Sequence, residues 1–399
     1  MKGTSGSNNT MLFRILAVVS ALMLGSTSAA LAQIDPYPRS LLQLGHDQTL
    51  SGHGPQSLYA YYYYNDPEFL HTNVALRLAV APVYVDAEIG FRQLLSPHTD
   101  VGIGINGGAY GDNYYEMRQG RYFKGESFDG HGGGAALKLY HRINPGQMIP
   151  LSVVVQGGAH YSAYSGTGKT KNEFELPEDR VSPFTRAGLR FAGKEPMLYA
   201  DLAMEMSIWF ERQWRLDDSA YGFAGDRRVQ PSTDLYWLYA GLNYAWTNTG
   251  NQFTFGLTAG GSENADRFSA WRLGGVLPLA AEFPLTLPGY YYQEISAQRF
   301  VHLSASYVAP LSADHRWQLR LGVASAHVDY LPGLEQPGHW LTGAGPGLSF
   351  TSRSEVWRVI LRYGYGFNAL RDGGEGAHSV GVLYQYNFEQ RKRRREIAK

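Results

Sequence analysis

The chain has 399 residues, with 35 basic and 35 acidic side chains, no cysteine, 28 Tyr and 47 Gly. Without cysteine there is no disulfide framework, no Cys-based metal site and no thiol nucleophile. Only 18% of the residues are charged, below the roughly 25% of ordinary soluble domains. After residue 32 no apolar run is long enough to cross a bilayer as a helix, so membrane residence has to come from strands.

In chain order, Lys2 and Arg14 precede an apolar run over residues 15–24, and Ala30-Leu31-Ala32 offers a small-residue cleavage site before Gln33. Residues 1–32 therefore read as a secretory signal peptide, too short to serve as a membrane anchor. Residues 33–55 read as a short polar periplasmic leader, and nucleic acid is a poor partner in that compartment. From residue 56 the pattern is all-β: a transmembrane antiparallel β-barrel of 14 to 16 strands over residues 56–388. Tyr61 to Tyr64 fit an aromatic girdle. Between residues 73 and 95 the apolar phase shifts at Pro82, from Val74, Leu76, Leu78 and Val80 to Val83, Val85, Ile89 and Phe91. A bulge there gives 14 strands; a break, with a separate strand over residues 267–274, gives 16.

Short connections at residues 144–146, 193–196, 247–251, 312–316 and 352–355 alternate with long ones at 111–130, 165–182, 216–231, 276–297 and 331–339, as expected for one rim of tight turns and one of loops. In the strand over residues 198–210, Leu198, Ala200, Leu202, Met204, Met206, Ile208 and Phe210 would face lipid, and Asp201, Glu205 and Ser207 the lumen. Asp201, Glu205, Arg320, Arg358 and Arg362 are the expected luminal charges, read as an ionic network across the barrel.

Chemistry-bearing motifs are weak. Residues 165–170 imitate a phosphate loop, but Ala163 stands where the Walker spacing needs Gly, and no helix follows. The histidines lack a short ligand spacing. Ser304 with His302, and Ser325 with His327, share a strand face but lack an orienting third group. No catalytic, cofactor-binding or metal residue is assigned, and the chain is not read as an enzyme.

The end of the chain carries the strongest pattern. Trp357, Val359, Leu361, Tyr363, Tyr365 and Phe367 share one face, opposite Arg358, Arg362, Gly364, Gly366 and Asn368; residues 379–388 repeat it, with Val380, Val382, Tyr384, Tyr386 and Phe388 outward. Gly381, Tyr384, Tyr386 and Phe388 form the expected closing signal for assembly into the outer membrane. Residues 389–399 are a basic periplasmic tail, with six basic residues and one acidic residue from position 391 onward. It is read as solvated, with attraction to anionic lipid as the sharper reading. The long connection at 276–297 is too apolar to be left in water. Burying Leu277, Leu279, Phe283, Leu285 and Tyr290 to Tyr292 requires it to fold into the barrel as a plug loop.

Leu273-Gly274-Gly275 before this loop, Leu287-Pro288-Gly289-Tyr290 at its tip, and residues 307–311, 343–348 and 379–386 in later strands resemble, in that order, the C-terminal barrel of the BamA/TamA/FhaC superfamily. These are outer-membrane insertases and translocases, also called the bacterial surface antigen family. The likeness covers residues 271–388. It implies a plugged barrel in outer-membrane lipid, placed there by the barrel assembly machinery. The implied role is outer-membrane protein or lipid assembly or transport with a separate periplasmic partner. A porin-like passive diffusion channel is the alternative. Pro288 stands where the family carries an arginine, and Ser306 and Ser325 stand at the positions of its acidic partners. The family's periplasmic domains are not matched. The polar lock on the loop is thus expected to be absent, with apolar packing in its place.

Overall fold

The computed structural model describes residues 37–109, 113–193, 201–216, 219–277, 285–372 and 374–397. The predicted signal peptide lies outside them, as do Leu198, Ala200, Leu279 and Phe283. Sixteen antiparallel strands close into one barrel. They are β1 (Arg39–Thr49), β2 (Ser57–Asp66), β3 (Val74–Ala81), β4 (Tyr84–Ser96), β5 (Thr99–Ala109), β6 (Phe128–Arg142), β7 (Leu151–Gly166) and β8 (Arg180–Gly193). The second half comprises β9 (Leu202–Trp214), β10 (Ser232–Ala245), β11 (Gln252–Glu263), β12 (Ile295–Pro310), β13 (Trp317–Tyr330), β14 (Trp340–Thr351), β15 (Trp357–Arg371) and β16 (Gly374–Asn387). Each pairs with its neighbours in sequence, and β1 closes on β16 from Leu41 opposite Asn387 to Thr49 opposite Ser379. The sheet thereby closes on itself and leaves no edge strand, as a bilayer demands.

Period-two alternation sorts the side chains. Met206, Ile208 and Phe210 on β9 are exposed outward while Glu205 is buried inward. Leu361, Tyr363 and Phe367 do the same on β15. An exposed band of this kind is unstable against water and stable against lipid.

Two expectations are corrected and one open alternative is decided. The polar leader contains a barrel strand, β1: its outward apolar signal is only Leu42 and Leu44, too short to read alone, and its register comes from the two partners that flank it. At Pro82 the chain takes the break, one of the two alternatives left open by the sequence, and Ala81 pairs with Tyr84 across a tight turn; proline has no N–H to keep a ladder going. The segment 267–274 is no separate strand of the barrel, since Trp271–Leu273 only extends the β11 side of β12. The count is sixteen because β1 supplies the strand that the 267–274 segment does not. The basic tail forms a helix, Phe388–Ile397, whose residues 391–396 are exposed, with the Phe388 ring 5.9 Å from Tyr62 and 4.8 Å from Tyr386 at the rim where the chain's strands begin and end.

At the opposite rim the long loops form a cap. Tyr114, Phe128, Phe174, Tyr221 and Val229 bury one another in an aromatic cluster. Beneath them the Glu116 carboxylate, fully buried, takes Arg267 at 3.0 Å, with Arg118 and Arg227 also in ion-pair range. Burial opposes the charge on Glu116, but Arg267 and Arg227 overcome it and hold the carboxyl below its ordinary value of 4.5. A depressed folded-state value means that this contribution is present above the ordinary value and is lost as pH falls through the folded one. Proteolysis of the cap is therefore expected to stay slow at pH 5 and to rise only well below pH 4.5; Glu116→Gln should abolish that step. A cap equally cleavable at pH 7 and pH 3 would contradict the assignment.

Candidate functional site

The loop between β11 and β12 turns back into the lumen, and three glycines make the turn. Gly274, Gly275 and Gly289 have φ of 138°, 87° and 90°, a region that side chains with a Cβ avoid. At the tip, Gly289 lies so close to the wall that a Cβ would sit 1.9 Å from the Gly366 nitrogen. The wall answers with its own glycines: a Cβ on Gly343 would sit 2.1 Å from the Pro288 oxygen, and one on Gly364 2.7 Å from the Pro288 Cβ. Glycines on β14 and β15 thus form a flat seat for Pro288-Gly289. Leu287 and Tyr290, on either side, are fully buried with Leu273, Ile295, Phe300, Leu341, Ala369 and Ala377. The inward plug predicted from apolarity is present in the described residues.

The predicted loss of a polar lock is corrected. Glu294, at the base of the loop, and Arg371, at the end of β15, form a two-pronged ion pair with both N···O distances 2.9 Å. Both side chains are almost fully buried. Arg371 also donates to the Gly289 carbonyl at 3.1 Å and lies 3.7 Å over the Tyr291 ring. Glu294 accepts the Tyr291 N–H at 2.8 Å. The cation therefore comes from the barrel wall and the anion from the loop. Pro288 at the tip, read as the position of the family's arginine, takes no part in this pair. Planar, bidentate geometry with both Nη groups engaged is what makes a buried pair tolerable.

A second clamp acts at the closing seam. Asp47 on β1 accepts the N–H groups of Val276 and Leu277 at 2.6 and 3.1 Å, while Arg362 on β15 donates to the Val276 carbonyl at 3.2 Å. A Cβ on Gly381 of β16 would meet the Leu277 side chain at 2.7 Å, and Ser379 accepts the Gly289 N–H at 2.9 Å. The loop is thus fastened to β1, β15 and β16 together and backs their junction from inside. His302, weighed above for catalysis, is instead a buried β12 residue whose Nε2 meets the Thr286 carbonyl at 2.8 Å. Ser325 lies on the outward face of β13 and bonds Thr342.

Of the luminal charges, Arg320 donates to Ser306 at 2.6 Å, and Arg358 to Gln318 and Ser349 at 3.0 Å. Glu205 pairs with Arg190 on the adjacent strand at 2.9 Å, and Asp201 sits in the rim turn beside Tyr244. No ion pair joins these two groups among the described residues. The plug stands in the lumen, and these charges find partners on nearby strands or on the plug itself, at lower entropic cost than a reach across it. A further network, Glu88 with Lys138 at 2.6 Å and Arg77 at 3.3 Å, was not anticipated. Its inward alternation on β3, β4 and β6 was the available signal.

No family model matches the chain, and no curated protein matches it. Solved structures do. CdiB from Acinetobacter baumannii superposes with a TM-score of 0.58 at 13% identity, over 88% of this chain and 60% of that one. BamA from Haemophilus ducreyi lacking POTRA domains 1–3 gives 0.53 at 9% identity, over 96% and 80%. The fold is that of the CdiB and BamA barrels. CdiB from Escherichia coli gives 0.53 at 15% identity, over 89% and 67%. At such identities the likeness speaks for the fold. This chain spans less than two thirds of the length of the first CdiB.

Proposed function

We propose that this is an outer-membrane barrel that acts in outer-membrane protein or lipid assembly or transport, together with a separate periplasmic partner. The observation that carries the reading is the plug: a loop fastened by a buried ion pair to β15 and by hydrogen bonds to β1 and β16, the strands that close the barrel. A passive pore has no need of a loop clamped to its own seam, and the aromatic cap over the opposite rim adds a second obstruction. The diffusion-channel reading is accordingly disfavoured. In the proposed orientation the helix Phe388–Ile397 and the start of β1 face the periplasm. Tyr384 and Tyr386 face lipid on the closing strand, and Phe388 stands at its rim.

The test is reconstitution into lipid vesicles, with ion conductance and the assisted folding of a second, unrelated barrel measured in parallel. Low conductance with accelerated folding of the client, or accelerated transfer of lipid between leaflets, is the expected result. High conductance without either activity would favour the channel. Separately, replacing Tyr384, Tyr386 and Phe388 together with Asn is expected to abolish membrane assembly in cells while leaving export intact. Normal heat-modifiable gel mobility of that variant would show that the closing signal lies elsewhere.

A further inference from the structure

Beneath the cap, apart from the seat of the plug tip, the lumen holds a polar cavity of about 470 Å³. One wall is built by β7, β8 and β9 in register: Arg186 stands between Gln156 and Glu211, Phe184 beside Gln213, Ser182 opposite His160, and Arg180 opposite Ser162. The facing wall comes from the segment that leads into the plug, through Arg267, Phe268 and Arg272, and from Gln293 where the plug returns to β12.

Five arginines reach this cavity, Arg180, Arg186, Arg215, Arg267 and Arg272, against one lining carboxylate, Glu211. Three have acids near them: Arg215 with Asp266 at 2.9 Å, Arg267 with Glu116 at 3.0 Å and Arg186 with Glu211 at 4.0 Å. Arg180 and Arg272 face no carboxylate within ion-pair range among the described residues. Arg180 is 5% exposed. It donates to the Tyr164 hydroxyl at 2.5 Å and lies 4.2 Å over the Phe268 ring, but its Nη1 has no acceptor. Arg272 donates to the carbonyls of Tyr115 and Gln293, both at 3.4 Å, and lies 4.6 Å over the Tyr114 ring. A buried guanidinium with an unanswered N–H is costly unless an anion completes it.

We propose that this cavity binds a phosphorylated sugar. The planar forks of Arg180 and Arg272 suit phosphate oxygens. Gln156, Gln213 and Gln293 offer amides, and Ser162 and Ser182 hydroxyls, for sugar oxygens. The rings of Phe184 and Phe268 offer apolar faces for the C–H side of the sugar. Because one wall is barrel and the other is plug loop, the ligand bridges the two and favours the plugged state by mass action. The ligand's source is either a free sugar phosphate or the head of a phosphorylated glycolipid; both carry the same chemistry.

The experiment is calorimetric titration of the purified full-length barrel in detergent with glucose 1-phosphate, inorganic phosphate, unmodified glucose and a soluble bisphosphorylated glucosamine disaccharide. Glucose 1-phosphate is expected to bind saturably and more tightly than inorganic phosphate, and glucose not at all. Tighter binding of the disaccharide than of the monosaccharide assigns the site to a glycolipid head; the reverse assigns it to a free metabolite. Arg180→Gln and, independently, Arg272→Gln should each weaken binding by at least about tenfold, as expected for a lost charge-assisted hydrogen bond. Unchanged heat-modifiable mobility confirms that the variants are folded. No binding by any of the anions, equal binding of glucose, or affinities that neither variant changes would overturn the proposal.

Discussion

Replacing Arg371 with Gln is expected to release the plug and raise the conductance of the reconstituted barrel well above that of the unmodified protein. The substitution leaves the Glu294 carboxylate buried without its two 2.9 Å partners and removes the donor to the Gly289 carbonyl. Stranding one member of a buried pair costs about 3 to 5 kcal/mol, enough to invert the balance between docked and released loop unless docking is much stronger than that. Glu294→Gln should act in the same direction. The double substitution should be milder than the sum of the two, because the second change removes the charge that the first one stranded. Strict additivity in conductance or loop protection would show that the pair contributes no coupling.

The second large effect is steric. Gly289→Val is expected to expel the tip from its seat while leaving the barrel closed. The new Cβ would fall 1.9 Å from the Gly366 nitrogen, and the backbone sits at φ 90°, where a β-branched residue is strained. Overpacking costs about 1 to 3 kcal/mol and an unfavourable backbone region about 1 to 3 more. Gly168→Val is the control, since a Cβ there meets nothing within 4 Å. Limited proteolysis of the loop reads the outcome: rapid cleavage in Gly289→Val, with heat-modifiable mobility retained, and no change in Gly168→Val. Equal protection in both would mean that the glycine seat does not fix the tip.

Much of the architecture was legible because lipid outside and a packed lumen inside impose period two on every strand, as on β9 and β15. β1 was hidden by brevity. Two outward leucines among His46, Asp47 and Gln48 give no periodic signal, and only the partners on both sides define the strand. The plug was visible as apolar sequence that water would not tolerate. Its polar fastening was not: Arg371 and Glu294 are 77 positions apart, and the fold, not the spacing, brings them together. Asp47 escaped for the same reason, being part of a strand that was itself missed. The cap was the least legible feature, because its aromatic residues are spread over four separate loops with no local pattern linking them.

The central claim is that the loop stands docked inside the lumen of the native barrel. The most direct measurement is labelling by a membrane-impermeant thiol reagent, made straightforward by the absence of native cysteine. With Leu287→Cys at the buried tip and Lys169→Cys on an exposed loop, the expected result is rapid modification at 169 and protection at 287, with position 287 becoming reactive once Arg371→Gln is added. Equal rates at the two positions in the otherwise unmodified protein would contradict it.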